Sequence, residues 1–400
     1  MGLSARGASH AQQRAARWNC YSFAVLRYSR QVPRSSIAHD LAAMSPPGDP
    51  LEAIRWRSAR PVLTVVGCHA GGEIGNVIVD GVEPLPGETV FQQMEHLRAD
   101  DSLRRLLLHE PRGSVAVHSN LIVHSRRADC AFGYVIMEPT EYPQMSGSNT
   151  ICVATVLLET GMVEMLEPVT TMRLEAPGGP IDITAGCRDG KVEWVELENV
   201  PCFADRLDAP LEVEGLGTIT VDVAYGGMWY AIADAHALGF ALVPAEARDL
   251  SSVGELIRGA ARDQLPCVHP ENPGIAGVSI VQLTEPWRGV AAVTKNAVVV
   301  APGRLDRSAT GTGLSARLAA LYAKGLMRVG ESMTHASVIG STFHGRIVRE
   351  VDLAGTPAIV PAIRGTAWIT GVTRVLVDPT DPFPEGYLLS DTWPGSDVQG

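Results

Sequence analysis

Two short stretches hold the residue types that chemistry needs. Ser146-Gly147-Ser148-Asn149-Thr150 and Asp306-Arg307-Ser308-Ala309-Thr310-Gly311-Thr312-Gly313 each place hydroxyls and glycine directly ahead of an apolar run. Small polar residues before such a run, with Gly after it, predict a capped helix. The runs are Ile151–Thr160, followed by Gly161, and Leu314–Leu326. Ile151, Val153, Val156, Leu157 and Leu158 make the first nearly apolar all round, which predicts a buried helix. A buried helix N-terminus presents unpaired N–H groups and the positive end of the peptide dipole. Glycine lets a ligand come close to that backbone. Two such ends facing one another would cradle a small anion such as a carboxylate. Holding an α-carboxylate there favours the enolate-like species formed when the Cα proton leaves. A side chain at each helix start would then reach opposite faces of one carbon. That is the geometry for racemisation, or for proton removal followed by elimination. On spacing alone, the same residues also read as ordinary helix caps.

The rest of the chain must position these two starts. Its 400 residues are 46% hydrophobic and 19% charged, enough for a sizeable core and two or three domains. No run of 18 apolar residues occurs, so no spanning helix is expected. A net charge of −11 argues against nucleic acid as a partner. The seven cysteines are scattered with no CxxC, which predicts neither a metal site nor a disulfide framework and reads as a reduced, cytoplasmic protein. Only Lys191, Lys295 and Lys324 are available for Schiff-base chemistry.

From Val62 onward, short β-rich runs are split by Gly, Pro and Asp. Val62–Gly67, Asn76–Val79, Ser114–His118 and Phe132–Met137 read as strands ahead of the first helix, and Thr218–Ala224, Trp229–Asp234, Val278–Leu283 and Ala297–Val300 ahead of the second. Residues 245–264 read as a further helix with Leu250, Val253, Leu256 and Ile257 as its apolar stripe. Ser146 and Thr310 lie 164 positions apart, about one domain length, which points to two similar α/β halves. Irregular strand–helix alternation argues against a Rossmann or TIM fold. Residues 1–43 carry six arginines and one acid, Asp40. They read as a disordered extension, as a mis-assigned start ahead of Met44, or as a transit peptide that would make the protein mitochondrial. Pro46–Pro50 reads as a linker.

Met145-Ser146-Gly147-Ser148-Asn149-Thr150 resembles the Met-Cys-Gly-His-Asn/Gly-Thr segment of the proline racemase family. Asp306–Gly313 resembles that family's Asp-Arg-Ser-Pro-Cys/Thr-Gly-Thr-Gly, and Cys68-His69-Ala70-Gly71-Gly72-Glu73 its Thr-His-Thr-Gly-Gly-Glu. The likeness runs from about Val62 to Trp393. It implies an α/β (α+β) fold of two similar halves, each a mixed sheet wrapped round a central helix, with the ligand in the cleft between them. The expected division is residues 58–205 with 367–396 for one half, 206–366 for the other, and 1–57 as the extension. The resemblance also implies cofactor-independent chemistry without a metal on a small imino acid, and a homodimer.

Family racemases and epimerases set two cysteines across Cα; here the positions hold Ser146 and Thr310. Thr at the second position is the dehydratase pattern. The leading expectation is therefore a lyase that converts trans-3-hydroxy-L-proline to Δ1-pyrroline-2-carboxylate. The alternatives are an isomerase acting on proline or hydroxyproline, and a catalytically silent imino-acid-binding paralogue. Under the resemblance, Ser146 stands at the base position with Thr310 opposite, and Asp306 holds the substrate ammonium. Gly147, Ser148, Gly311 and Thr312 supply N–H groups to the carboxylate. A serine hydroxyl needs activation, and His69 is the sequence-level candidate for it. Ser148 replaces one family histidine and Ile280 another, which weakens the 4-hydroxyproline epimerase reading. His269 reads as structural, and Cys68 and Cys152 as small buried hydrophobes.

Overall fold

A computed structural model describes residues 60–393. The extension expected for residues 1–57 lies outside the described residues. Helices are named in chain order: α1 Val90–Asp100, α2 Ser102–Leu108, α3 Gly147–Glu159, α4 Ala247–Gln264 and α5 Gly311–Ala323. Among the described residues, no helix is long and apolar enough to cross a membrane.

Sixteen of the nineteen described strands form two sets of eight with one shared pattern. In the first, Ala367–Val377 pairs with Arg60–Ala70, which continues through Glu73–Asp80, Val117–Val123, Phe132–Met137, Val169–Ala176 and Gly179–Arg188 to Lys191–Glu198. In the second, Phe203–Val213 continues through Gly217–Tyr225, Trp229–Asp234, Ile280–Thr284, Val293–Val300, Ser332–Ala336 and Thr342–Leu353 to Thr356–Gly365. In each set the third and fifth pairings are parallel and the other five antiparallel. Parallel neighbours need a crossover, and each parallel step is bridged by helices: α1 and α2, then α3, in one set; α4, then α5, in the other. Antiparallel pairing of Lys191–Glu198 with Thr356–Gly365 joins the sets into one ladder.

The central helices are α3 and α5. Every residue from Gly147 to Leu158 is buried, so α3 needs its all-round apolar surface to pack against strands on several sides. It touches Arg60–Ala70, Glu73–Asp80, Lys191–Glu198 and Ala367–Val377. Helix α5 packs against Phe203–Val213, Gly217–Tyr225, Thr342–Leu353 and Thr356–Gly365. Its one departure from full burial between Gly311 and Leu321 is Arg317, whose guanidinium lies 4.0 Å from Asp222. Two such helices, each inside its own eight-strand set, give the mixed α/β fold of similar halves.

Most expected elements stand near their sequence positions; Phe132–Met137 matches and α4 begins two residues late. Two differences have physical causes. The strand expected at Ser114–His118 lies at Val117–Val123, because Gly113 and Ser114 are still in the turn that leaves α2. Helices α1 and α2 were not expected. The signal was Thr89, whose hydroxyl caps Gln92 N–H at 3.2 Å, followed by Val90, Met94 and Leu97 on one buried face.

Candidate active site

The first residue of each central helix is a glycine, and the two glycines meet. A Cβ added to Gly147 would lie 2.7 Å from Gly311 Cα, and one added to Gly311 would lie 2.8 Å from Gly147 Cα. The two helix N-termini therefore abut, as only glycines allow. Ser146 and Thr310 are the flanking N-cap residues, and neither makes a side-chain cap bond. Their hydroxyls are turned to other partners, which leaves the N-terminal N–H groups of both helices for an anion. Ser146 has extended backbone, whereas Thr310 sits at φ 57°, an outlier for a β-branched residue. Such strain is held only where the surroundings over-determine it.

Around Thr310 the surroundings are carboxylate. Its Oγ1 donates to Asp306 Oδ2 at 2.6 Å, while Ser308 N–H donates to Asp306 Oδ1 at 2.7 Å. Burial first, then the nearby Glu73 carboxylate, push the Asp306 carboxyl up to about 7, against the Thr310 bond and Arg304. Thr312 turns its hydroxyl to Tyr230 at 2.6 Å.

Around Ser146 the surroundings are amide and imidazole. Asn149 Nδ2 donates to Ser146 Oγ at 2.9 Å, and Ser148 Oγ lies 3.5 Å away. Asn149 also meets His118 Nδ1 at 3.1 Å. His118 Nε2 lies 3.3 Å from Glu73 Oε1, and Glu138 Oε1 lies 3.6 Å from His118 Nδ1. Arg304, in a two-residue strand that pairs with Val293–Val300 of the second set, pairs with Glu73 Oε1 at 2.6 Å and packs against His118. Arg307 N–H donates to Glu73 Oε2 at 2.7 Å. Burial alone would raise the Glu73 carboxyl, but Arg304, then His118, outweigh it and hold it at about 2. Burial, aided by Arg304, lowers His118 to about 3, so its ring is neutral. Burial raises Glu138 well above the usual carboxylate range, with Glu141 adding to it.

This Glu73–Arg304 pair ties the two strand sets together behind the site. Arg304→Met leaves Glu73 buried without its counter-charge, and a cost of about 3–5 kcal/mol is expected in urea unfolding. Glu73→Gln in the same background should recover part of it, because the orphaned charge is then gone.

His69 is not where the sequence suggested. Its Nδ1 accepts from Gly72 N–H at 3.2 Å, and its ring stacks on Trp368 at 5.3 Å, facing a cavity of about 610 Å³ beside Arg364 and Trp194. No hydrogen bond joins it to Ser146; the histidine linked to Ser146, through Asn149, is His118. His118 carried no motif signal, because it lies in a strand 28 residues before Ser146 and only the fold brings it near. Glu138, Asn120 and Arg304 join the site for the same reason. Ile280 is buried in an apolar cluster with Tyr230 and Ala316. His269 packs edge-on against Tyr225 at 4.9 Å. Cys68 and Cys152 are buried in the core, and burial, then the neighbouring Cys68, raise the Cys152 thiol well above its ordinary value. No thiol stands at either helix start.

The proline racemase family profile matches residues 65–388. A probable proline racemase from Agrobacterium radiobacter, solved with bound carbonate, is 39% identical over 84% of this chain and 99% of its own, with a TM-score of 0.80. A hydroxyproline epimerase from Agrobacterium vitis, solved with trans-4-hydroxy-L-proline, is 37% identical over 87% of this chain and 100% of its own, also at 0.80. A phenazine biosynthesis protein from Bacillus anthracis shares the fold at 12% identity and a TM-score of 0.51. With this match across most of its length, and with its two helix starts in the family's order, the chain belongs to the proline racemase family.

Proposed function

We infer that the protein binds a proline-type imino acid by its carboxylate between the two helix N-termini and labilises its Cα proton, as a 2-epimerase or racemase. The observation that carries this is the abutment of Gly147 and Gly311, with a hydroxyl on each flank and Asp306 behind one of them. The helix N–H groups hold the carboxylate and stabilise the enolate that proton loss creates. Asp306 accepts the ring ammonium. The epimerase and racemase relatives, and the hydroxyproline bound to one of them, support this class of substrate.

A second reading is dehydration of trans-3-hydroxy-L-proline. One observation favours it: only Thr310 has a carboxylate partner, whereas Ser146 receives a bond from an amide. A single base suffices for removal of the Cα proton and loss of the 3-hydroxyl. The deciding experiment is proton NMR in D₂O with both prolines, cis- and trans-4-hydroxyproline and trans-3-hydroxy-L-proline. Cα deuteration with change of configuration supports the isomerase. Appearance of Δ1-pyrroline-2-carboxylate moves the assignment to the lyase. A thermal shift with these compounds but neither deuteration nor elimination leaves a binding protein.

The Asp306 carboxyl also sets a pH dependence for binding. Below pH 7 it carries a proton that the substrate ammonium must displace. Affinity should therefore fall by about tenfold per pH unit below 7 and level off above it. Calorimetry at pH 6 in two buffers of different ionisation heat should read about one proton released per ligand bound.

A further inference from the structure

The two side-chain amides behind Ser146 are oriented by their partners. Asn120 Nδ2 donates to the main-chain oxygen of Asn76 at 3.1 Å, and a carbonyl oxygen can only accept. That fixes the Asn120 amide, whose same nitrogen donates to Asn149 Oδ1 at 2.8 Å. The Asn149 amide is fixed in turn, so its nitrogen is the group that faces Ser146 Oγ and His118 Nδ1. His118 Nδ1 then accepts from Asn149, while Nε2 faces both Glu73 Oε1 and the Arg304 guanidinium. Room for this arrangement is built in: a Cβ on Gly75 would lie 2.7 Å from Asn149 Oδ1. Asn120 and Asn149 are fully buried, so water does not compete for these bonds.

The consequence falls on Ser146. Its oxygen already accepts a hydrogen bond, and the other group beside it, Ser148 Oγ at 3.5 Å, is a hydroxyl and not a base. Thr310 is the opposite case, since its hydrogen is given to Asp306. We propose that Asn149, oriented by Asn120, is a positioning residue that makes Ser146 the proton donor of the site, while Thr310 backed by Asp306 is its base. This rests on the Cα-proton chemistry inferred above and assigns the two hydroxyls unequal roles, the reverse of what motif position suggested for Ser146.

The proton balance is simple. Thr310 Oγ1 takes the Cα proton as its own passes to Asp306 Oδ2, and the C–H electron pair enters the enolate. Ser146 then gives its proton to the opposite face of Cα, or to a departing 3-hydroxyl that leaves as water when the enolate pair forms the ring double bond. The serine oxygen, negative for that moment, is held by the Asn149 N–H and regains its proton from Asp306 by way of solvent. Because Thr310 exchanges its proton through Asp306, the configuration whose Cα–H faces it can lose and regain hydrogen without inverting.

Two measurements test this independently. The first needs no turnover. Ser146→Cys replaces the oxygen with a thiol whose titration is read by iodoacetamide alkylation against pH, with peptide mapping to separate it from the other cysteines. The Asn149 donor should hold this thiolate below the ordinary value of about 8.5. Adding Asn149→Ala should raise the titration midpoint by about one unit, and adding Asn120→Ala, which frees the amide to turn over, should raise it less. An unchanged midpoint in both double variants overturns the role given to Asn149. The second uses the wild-type protein in D₂O with each configuration of the substrate separately. One configuration should exchange its Cα proton about tenfold faster than the other, with inversion lagging behind exchange. Asn149→Asp, whose carboxylate accepts the Ser146 hydrogen, should narrow that gap. Equal exchange of both configurations by the wild type overturns the assignment of acid and base. If no panel compound exchanges at all, the Cα-proton reading fails, while the thiol titration still decides whether Asn149 donates to position 146.

Discussion

Asp306→Asn is expected to lower kcat/KM by about a thousandfold or more, through two separable losses. The first is in binding. A buried carboxylate paired with the substrate ammonium forms a charge-assisted hydrogen bond worth about 1.5–3 kcal/mol, or roughly 10- to 150-fold in affinity. The second is in proton removal, where the amide cannot take the Thr310 proton, which accounts for about 10²–10⁴. Steady-state kinetics on whichever panel compound turns over separates the two as KM and kcat effects. The fold should survive, because Asn keeps the shape of Asp306, its oxygen accepts from Ser308 N–H, and its nitrogen donates to the Thr310 hydroxyl oxygen in place of the reverse bond. Stability carries its own signature. The folded carboxyl titrates at about 7 against an ordinary 3.8, so its contribution is full below 3.8 and is lost as pH rises through 7. Asp306→Asn removes that loss. The variant should therefore gain in Tm relative to wild type as pH rises from 5 to 8. A variant with wild-type kcat/KM would remove Asp306 from the site chemistry altogether.

Gly311→Ala is the second large effect. The new methyl would lie 2.8 Å from Gly147 Cα, a backbone atom in a helix buried on all sides, so no flexible side chain can yield. The two helix starts must separate, or one must tilt. Overpacking of this kind costs about 1–3 kcal/mol, which should appear in the urea midpoint. The functional loss should be larger than the stability loss suggests. A carboxylate held by N–H groups from both helices depends on their spacing, and a displacement of about 1 Å costs on the order of a hundredfold in rate. Gly313→Ala is the control. It is in the same helix turn, but its Cβ would meet side-chain atoms of Gln282 and Thr310 at 3.2–3.4 Å, so a milder effect is expected. If Gly311→Ala binds imino acids as tightly as wild type, the carboxylate does not sit between these helices.

The contrast between His69 and His118 shows how far motif reading reaches. His69 stands four residues before Glu73 in a family-like segment, yet a turn separates them: Glu73 pairs across it with Ala70, and His69, one residue back along its strand, takes the opposite face. Glu73 turns inward to Arg304, while His69 turns out to Trp368. Asn149 was legible only as a helix-cap residue. Its role depends on Asn120, which is 29 positions away and adjacent only because Val117–Val123 runs alongside Glu73–Asp80. Arg304 precedes a recognised motif by two residues and carried no signal, since its partners Glu73 and His118 are more than 180 residues upstream.

The amino-acid sequence by itself determined the two buried helices, their glycine-rich starts, the pairing of Ser146 with Thr310 and the absence of thiols at both places. Those features follow from local rules: an apolar run is buried on every side, and glycine and hydroxyl residues end up at its N-terminus. The tertiary structure alone decided that the two starts touch, that Asp306 backs Thr310, and that an asparagine donor rather than a base backs Ser146. The reason is that a hydroxyl becomes an acid or a base through its neighbours' donors, acceptors and burial. Those neighbours come from strands that are far apart in the chain and are brought together by the pairing of two eight-strand sets.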